Sequence, residues 1–126
     1  MPLTIDEVVE RARRRLVRVT PEQAAAEHAQ GALMVDIRTK SDRVAHGEIP
    51  GAIEIDRTVL EWRLDPTSPS RIDQAKDHQV RVIVVCAEGY SSSLAAASLQ
   101  DIGLVNATDV IGGFEAWKAA GLPVTP

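Results

Sequence analysis

The sequence predicts an α/β fold, a parallel sheet of about five strands flanked by helices on both faces, and three observations lead there. Short apolar runs alternate with longer segments of helical pattern along the chain. The run "VIVV" is continuously β-branched, which suits a strand covered on both sides. A chain of 126 residues, 44% hydrophobic and 25% charged, can bury one core without metals or disulfides, so a single domain over residues 1–126 is expected.

The elements follow in order. From Thr4 to about Arg15, apolar Ile5, Val8, Val9, Ala12 and Leu16 recur at the spacing of a one-sided helix, and Thr4 with Glu7 forms a capping box. Arg11, Arg13, Arg14 and Arg15 read as a solvated face near that helix's C-terminal end, where cations are favoured. Thr20 as N-cap, Pro21 at the first helical position and Gly31 as stop frame a second short helix. The runs "ALMVDIR", "AIEID", "RVIVVC" and "TDVIGG" are brief enough to be strands. Between and after them, "TKSDRVAHGEIPG", "RTVLEWRLDPTSPSRIDQAKDHQ", "SSSLAAASLQDIG" and "GFEAWKAAGLP" carry helical pattern or turn chemistry. Right-handed crossovers bring the strands' carboxyl ends to one edge, where open α/β sheets bind ligands.

Composition excludes several classes. A net charge of −4 and a pI near 5.3 lack the basic surplus of nucleic-acid binders. The first residues show no signal-peptide pattern, and no apolar run reaches the roughly 18–20 residues that cross a bilayer, so no membrane partner and a cytoplasmic location are expected. His28, His46 and His78 are scattered without ligand spacing and read as surface residues; no metal site is expected.

Cys86 is the only cysteine, so it cannot close an internal disulfide. It follows four apolar residues and precedes "AEGYSS", after which Leu94, Ala95, Leu99 and Ile102 recur at helical spacing up to Gly103. The thiol thus tops a strand and faces a helix start, where unpaired amides and the helix dipole form an anion cradle. Such a cradle favours thiolate over thiol. Gly89 allows the loop to turn, and Ser91 or Ser92 can cap the helix or donate to an anion. Position alone leaves a second reading open, since free cysteine is also a common buried apolar residue.

Three stretches in order, "VDIRTKSDRVAHGEIPGAIEID", "VVCAEGYSSSLAAASLQDIG" and "DVIGGFEAWKAAGLP", resemble the aspartate-x-arginine segment, catalytic loop and closing signature of single-domain rhodanese-like proteins. The resemblance implies a sulfurtransferase without metal or organic cofactor. In it Cys86 accepts a sulfane sulfur as a persulfide, cradled by the amides of Ala87, Glu88, Gly89, Tyr90, Ser91 and Ser92. It implies a small sulfur donor and, as acceptor, a low-molecular-weight thiol or a sulfur-carrier protein. Family members also include non-catalytic modules, and an anion- or protein-binding role is the alternative.

Departures from the pattern set further expectations. Many active members have arginine five positions after the cysteine and often a basic residue directly after it; here Ser91 and Ala87 stand there, with acidic Glu88 between them. Thiosulfate is therefore expected to be a poor donor unless Arg38 or Arg57 supplies the cation. The related phosphatases need arginine six positions on, where this chain has Ser92. Trp62 either walls the site over Cys86 or packs in the core; Phe114 and Trp117 read as packing residues. Asp36, at the end of its strand, is expected to accept loop amides or pair with an arginine.

Overall fold

The computed structural model describes residues 1–126. Helix α1 (Ile5–Arg14) starts at a capping box in which Thr4 and Glu7 satisfy each other's backbone amides, and α2 (Pro21–Ala29) repeats the device with Thr20 and Gln23. Strand β1 (Leu33–Asp36) leads into α3 (Lys40–His46), and β2 (Ile53–Glu54) into a 3₁₀ turn and α4 (Leu60–Leu64). Strand β3 (Val82–Val85) precedes the cysteine loop and α5 (Ser91–Asp101); β4 (Ala107–Asp109) precedes α6 (Gly113–Ala119). Long polar turns fill the stretch from Asp65 to Arg81, as its prolines and serines predict.

The sheet is parallel throughout, in the order β2-β1-β3-β4, with Val35 opposite Val84 and Val84 opposite Asp109. Four strands replace the expected five. Val19 makes one parallel bridge to Val110 beside β4, but Thr20 already caps α2 and Pro21 has no amide hydrogen to extend the ladder.

Alternation along β3 divides the core. Val82 and Val84 join Leu60, Leu64, Ala95 and Leu99 on one side, whereas Ile83 and Val85 join Met34, Phe114 and Trp117 on the other. Every residue of β3 is buried, the consequence of helices on both faces.

Candidate active site

Cys86 continues the β3 alternation by one residue, so its side chain falls on the α5 side, in the same apolar cluster as Val82 and Val84. The loop then turns through Gly89, whose φ of 85° is a left-handed conformation, and returns to α5. The turn brings two amides onto the sulfur: Gly89 N–H donates to Cys86 Sγ at 3.1 Å and Ser92 N–H at 3.3 Å. The amides of Ala87, Glu88, Tyr90 and Ser91 make no such bond, so the expected ring of six donors is a pair. Nor does either serine cap α5: its N-cap is Tyr90, without a side-chain bond.

Burial, with Cys86 only 6% exposed, pushes the thiol up; hydrogen bonding to the Ser92 and Ser91 hydroxyls and to the Ser92 and Gly89 amides outweighs it and holds the thiol below its ordinary range. The Ser92 hydroxyl has one hydrogen and two claimants. It lies 2.7 Å from Asp109 Oδ2, and while it donates there the Ser91 hydroxyl and the two amides carry the lowering.

Asp109 anchors a buried clamp beneath the loop. Its carboxylate accepts from Ser92 Oγ, from Ser93 Oγ at 2.8 Å and from Arg18 Nε at 2.8 Å. Arg18 and Arg13 both donate to the Gly89 carbonyl, at 3.0 and 2.8 Å, and Arg13 also stacks over Tyr90. Arg13 is therefore not part of a merely solvated face, unlike exposed Arg14, which pairs with Glu10 one turn away. Sequence reasoning missed Arg18, Asp109 and Ser93 altogether. The available signal was a carboxylate at the end of a strand that is otherwise without charge.

Backbone-to-backbone packing fixes the loop from the other side. Phe114 N–H donates to the Cys86 carbonyl and Glu115 N–H to that of Ala87. The approach is so close that a Cβ on Gly113 would stand 2.5 Å from the Cys86 oxygen and 2.7 Å from the Gly89 nitrogen. Gly113, the first residue of α6, is thus what lets α6 touch the cysteine loop.

The remaining sequence-predicted residues are dispersed. Asp36 accepts from the Arg38 amide, Nε and Nη2, and Arg38 adds a bond to the Gly47 carbonyl while its guanidinium lies 3.7 Å from the Phe114 ring. The Asp36 carboxylate neutralises the guanidinium within a pair whose side chains are 1% exposed, so Arg38 brings no uncompensated positive charge to a donor at the loop. Arg57 is spent as well, on both carboxylate oxygens of Glu61, which also accepts from Ser98. Trp62 is 60% exposed and so does not pack in the core. Glu88 and Tyr90 are exposed at the loop's rim, and Ala87 is half-buried.

Residues 20–120 match the rhodanese-like domain family. The chain is 38% identical over 102 residues to thiosulfate sulfurtransferase GlpE of Pseudomonas entomophila, covering 81% of this chain and 84% of that one. It is 34% identical over 106 residues to GlpE of Haemophilus influenzae, 84% and 91% of the two chains. Among solved structures, a protein of unknown function from Rhodopseudomonas palustris, described as a possible tyrosine phosphatase, superposes with a TM-score of 0.86 at 34% identity and 98% coverage of both chains. The polysulfide-sulfur transferase homodimer of Wolinella succinogenes shares the fold, with a TM-score of 0.73 at 22% identity over 92% of this chain and 82% of that one.

Proposed function

The chain belongs to the rhodanese-like domain family, and from that membership we propose that it is a sulfurtransferase that carries a sulfane sulfur on Cys86. The observation that supports it most is the pair of amides donating to Cys86 Sγ, with the arginine-held loop carbonyl behind them. These donors favour the anionic form, and the thiolate is the nucleophile. The thiolate attacks the sulfane sulfur of a donor, the bond from that sulfur to the donor breaks, and its electron pair leaves with the donor. The persulfide then gives its outer sulfur to an acceptor thiolate, and Cys86 recovers its charge under the same amides. No general base is required, which leaves Asp36 to its task of holding Arg38.

The curated relatives are named for thiosulfate, but the loop of this chain is ill-suited to a dianion. Ser91 and Ala87 carry no charge, Glu88 adds a negative one, and Arg38 and Arg57 are engaged with Asp36 and Glu61. Donors of lower charge are expected to load Cys86 faster than thiosulfate. A phosphatase reading finds no support: the position six residues after Cys86 is Ser92, whose hydroxyl donates to Asp109.

Intact-mass measurement after exposure to a panel of sulfane donors tests the proposal. The expected result is a gain of one sulfur atom, absent in Cys86→Ser and removed by a small thiol. A thiol that alkylates readily yet never gains sulfur from any donor would place the chain among the non-catalytic binding modules.

A further inference from the structure

A cavity of about 570 Å³ opens beside the cysteine loop, within the roughly 300–1,000 Å³ of small-molecule sites. Ala87 and Glu88, the two residues that follow the nucleophile, form one wall; α3 contributes Asp42, and α6 contributes Phe114, Glu115 and Lys118. Arg38 lines it too, and here its bonding is incomplete. Nε and Nη2 are taken by Asp36 and the Gly47 carbonyl, whereas Nη1 is buried without any hydrogen-bond partner. An unpaired guanidinium nitrogen is costly to bury, and a carboxylate oxygen is the partner that best satisfies it.

The charges select a particular kind of ligand. Two cations, Arg38 and Lys118, and the imidazole of His46 face three carboxylates, Asp42, Glu88 and Glu115, and Arg38 is already balanced by Asp36. A dianion meets net repulsion here. A molecule with one carboxylate and one ammonium meets partners for both: Arg38 Nη1 and Lys118 for the first, the rim carboxylates for the second. The Phe114 ring and the methyl groups of Ala87 and Ala119 offer an apolar floor. Cys86 itself does not line the cavity, whose contact with the cysteine loop is through Ala87 and Glu88, so a ligand seated here reaches the sulfur only past those two residues.

We infer that this cavity seats the sulfur acceptor, and that the acceptor is a small zwitterionic thiol of amino-acid type. The inference rests on the sulfurtransferase reading. The acceptor's thiolate attacks the outer sulfur of the Cys86 persulfide; a bond forms between these two sulfurs, the bond between the outer sulfur and Cys86 Sγ breaks, and the electron pair returns to Sγ. No oxidant or reductant is needed.

Two measurements test it. Titration of the isotope-labelled protein with S-methylcysteine, which keeps both charges but cannot react, is expected to move the amides of Ala87, Glu88, Glu115 and Lys118 saturably, while succinate at equal concentration does not. Discharge of persulfidated protein, corrected for the thiolate fraction of each acceptor, is expected to favour cysteine over 2-mercaptoethanol by roughly tenfold in kcat/KM, the worth of about one charge-assisted hydrogen bond. That ratio should fall towards one in Glu115→Gln/Lys118→Gln, both exposed positions whose substitution leaves the core intact. No saturable shift, or a ratio near one in the unaltered protein, would overturn the inference. The two ideas fail separately: sulfur that passes equally to every thiol refutes the cavity and spares the sulfurtransferase, whereas saturable binding at these amides in a chain that never gains sulfur spares the site and refutes its role in transfer.

Discussion

At Cys86 two opposing influences meet, burial that disfavours charge and hydrogen-bond donors that favour it, and the donors prevail. Ser91→Ala removes one donor without touching the core, since Ser91 is exposed; the thiol then rises towards its ordinary value, and alkylation at a fixed pH near neutrality slows while the fold is unchanged. Asp109 acts at one remove, through Arg18 and the two serines. Asp109→Ala leaves Arg18 without its partner at a site where the carboxylate is fully buried, and urea denaturation is expected to show a loss of about 3 kcal/mol. Cys86, Gly89 and Ser92 were legible because loop position and spacing carry them. Arg13, Arg18 and Asp109 were not, because their partners lie about 70 to 90 residues away along the chain and nothing local marks the pairing.

Among the elements, the β3–loop–α5 unit holds the chemistry, and the start of α6 holds that unit. Gly113→Ala pushes a methyl group into three backbone atoms of the cysteine loop, none of which can swing aside. With the left-handed φ of 62° it is expected to cost about 2–4 kcal/mol and to impair sulfur loading. Gly121→Ala shares the positive φ, at 75°, but meets nothing within 4 Å, so it should cost only about 1 kcal/mol and leave loading as it was. Comparing the two by denaturation and by intact mass separates backbone strain from intrusion on the loop. The helices and strands themselves were readable from capping boxes, glycine stops and apolar runs. The fifth strand was not, because its shrinkage to one bridge depends on how soon Thr20 and Pro21 turn the chain away from β4.

Over the whole molecule, charge sets which donors approach. The chain carries a net charge of −4, and apart from Lys118 in the cavity wall its cations near the loop are tied to carboxylates or to the Gly89 carbonyl. Loading by thiosulfate is therefore expected to quicken as salt screens the repulsion, and loading by an uncharged donor to stay level. Ser91→Arg, which places a guanidinium at the loop, is expected to raise thiosulfate loading roughly tenfold, the scale of one charge-assisted bond. No helix is long and apolar enough to cross a membrane, in keeping with the lack of any such run in the sequence. The proposed chemistry depends on the state of one sulfur atom, and the rate of Cys86 alkylation against pH, in native and in urea-unfolded protein, tests that state most directly. A native midpoint below the unfolded one is the expected result; a native midpoint equal to or above it would contradict the claim that the loop holds Cys86 as a thiolate.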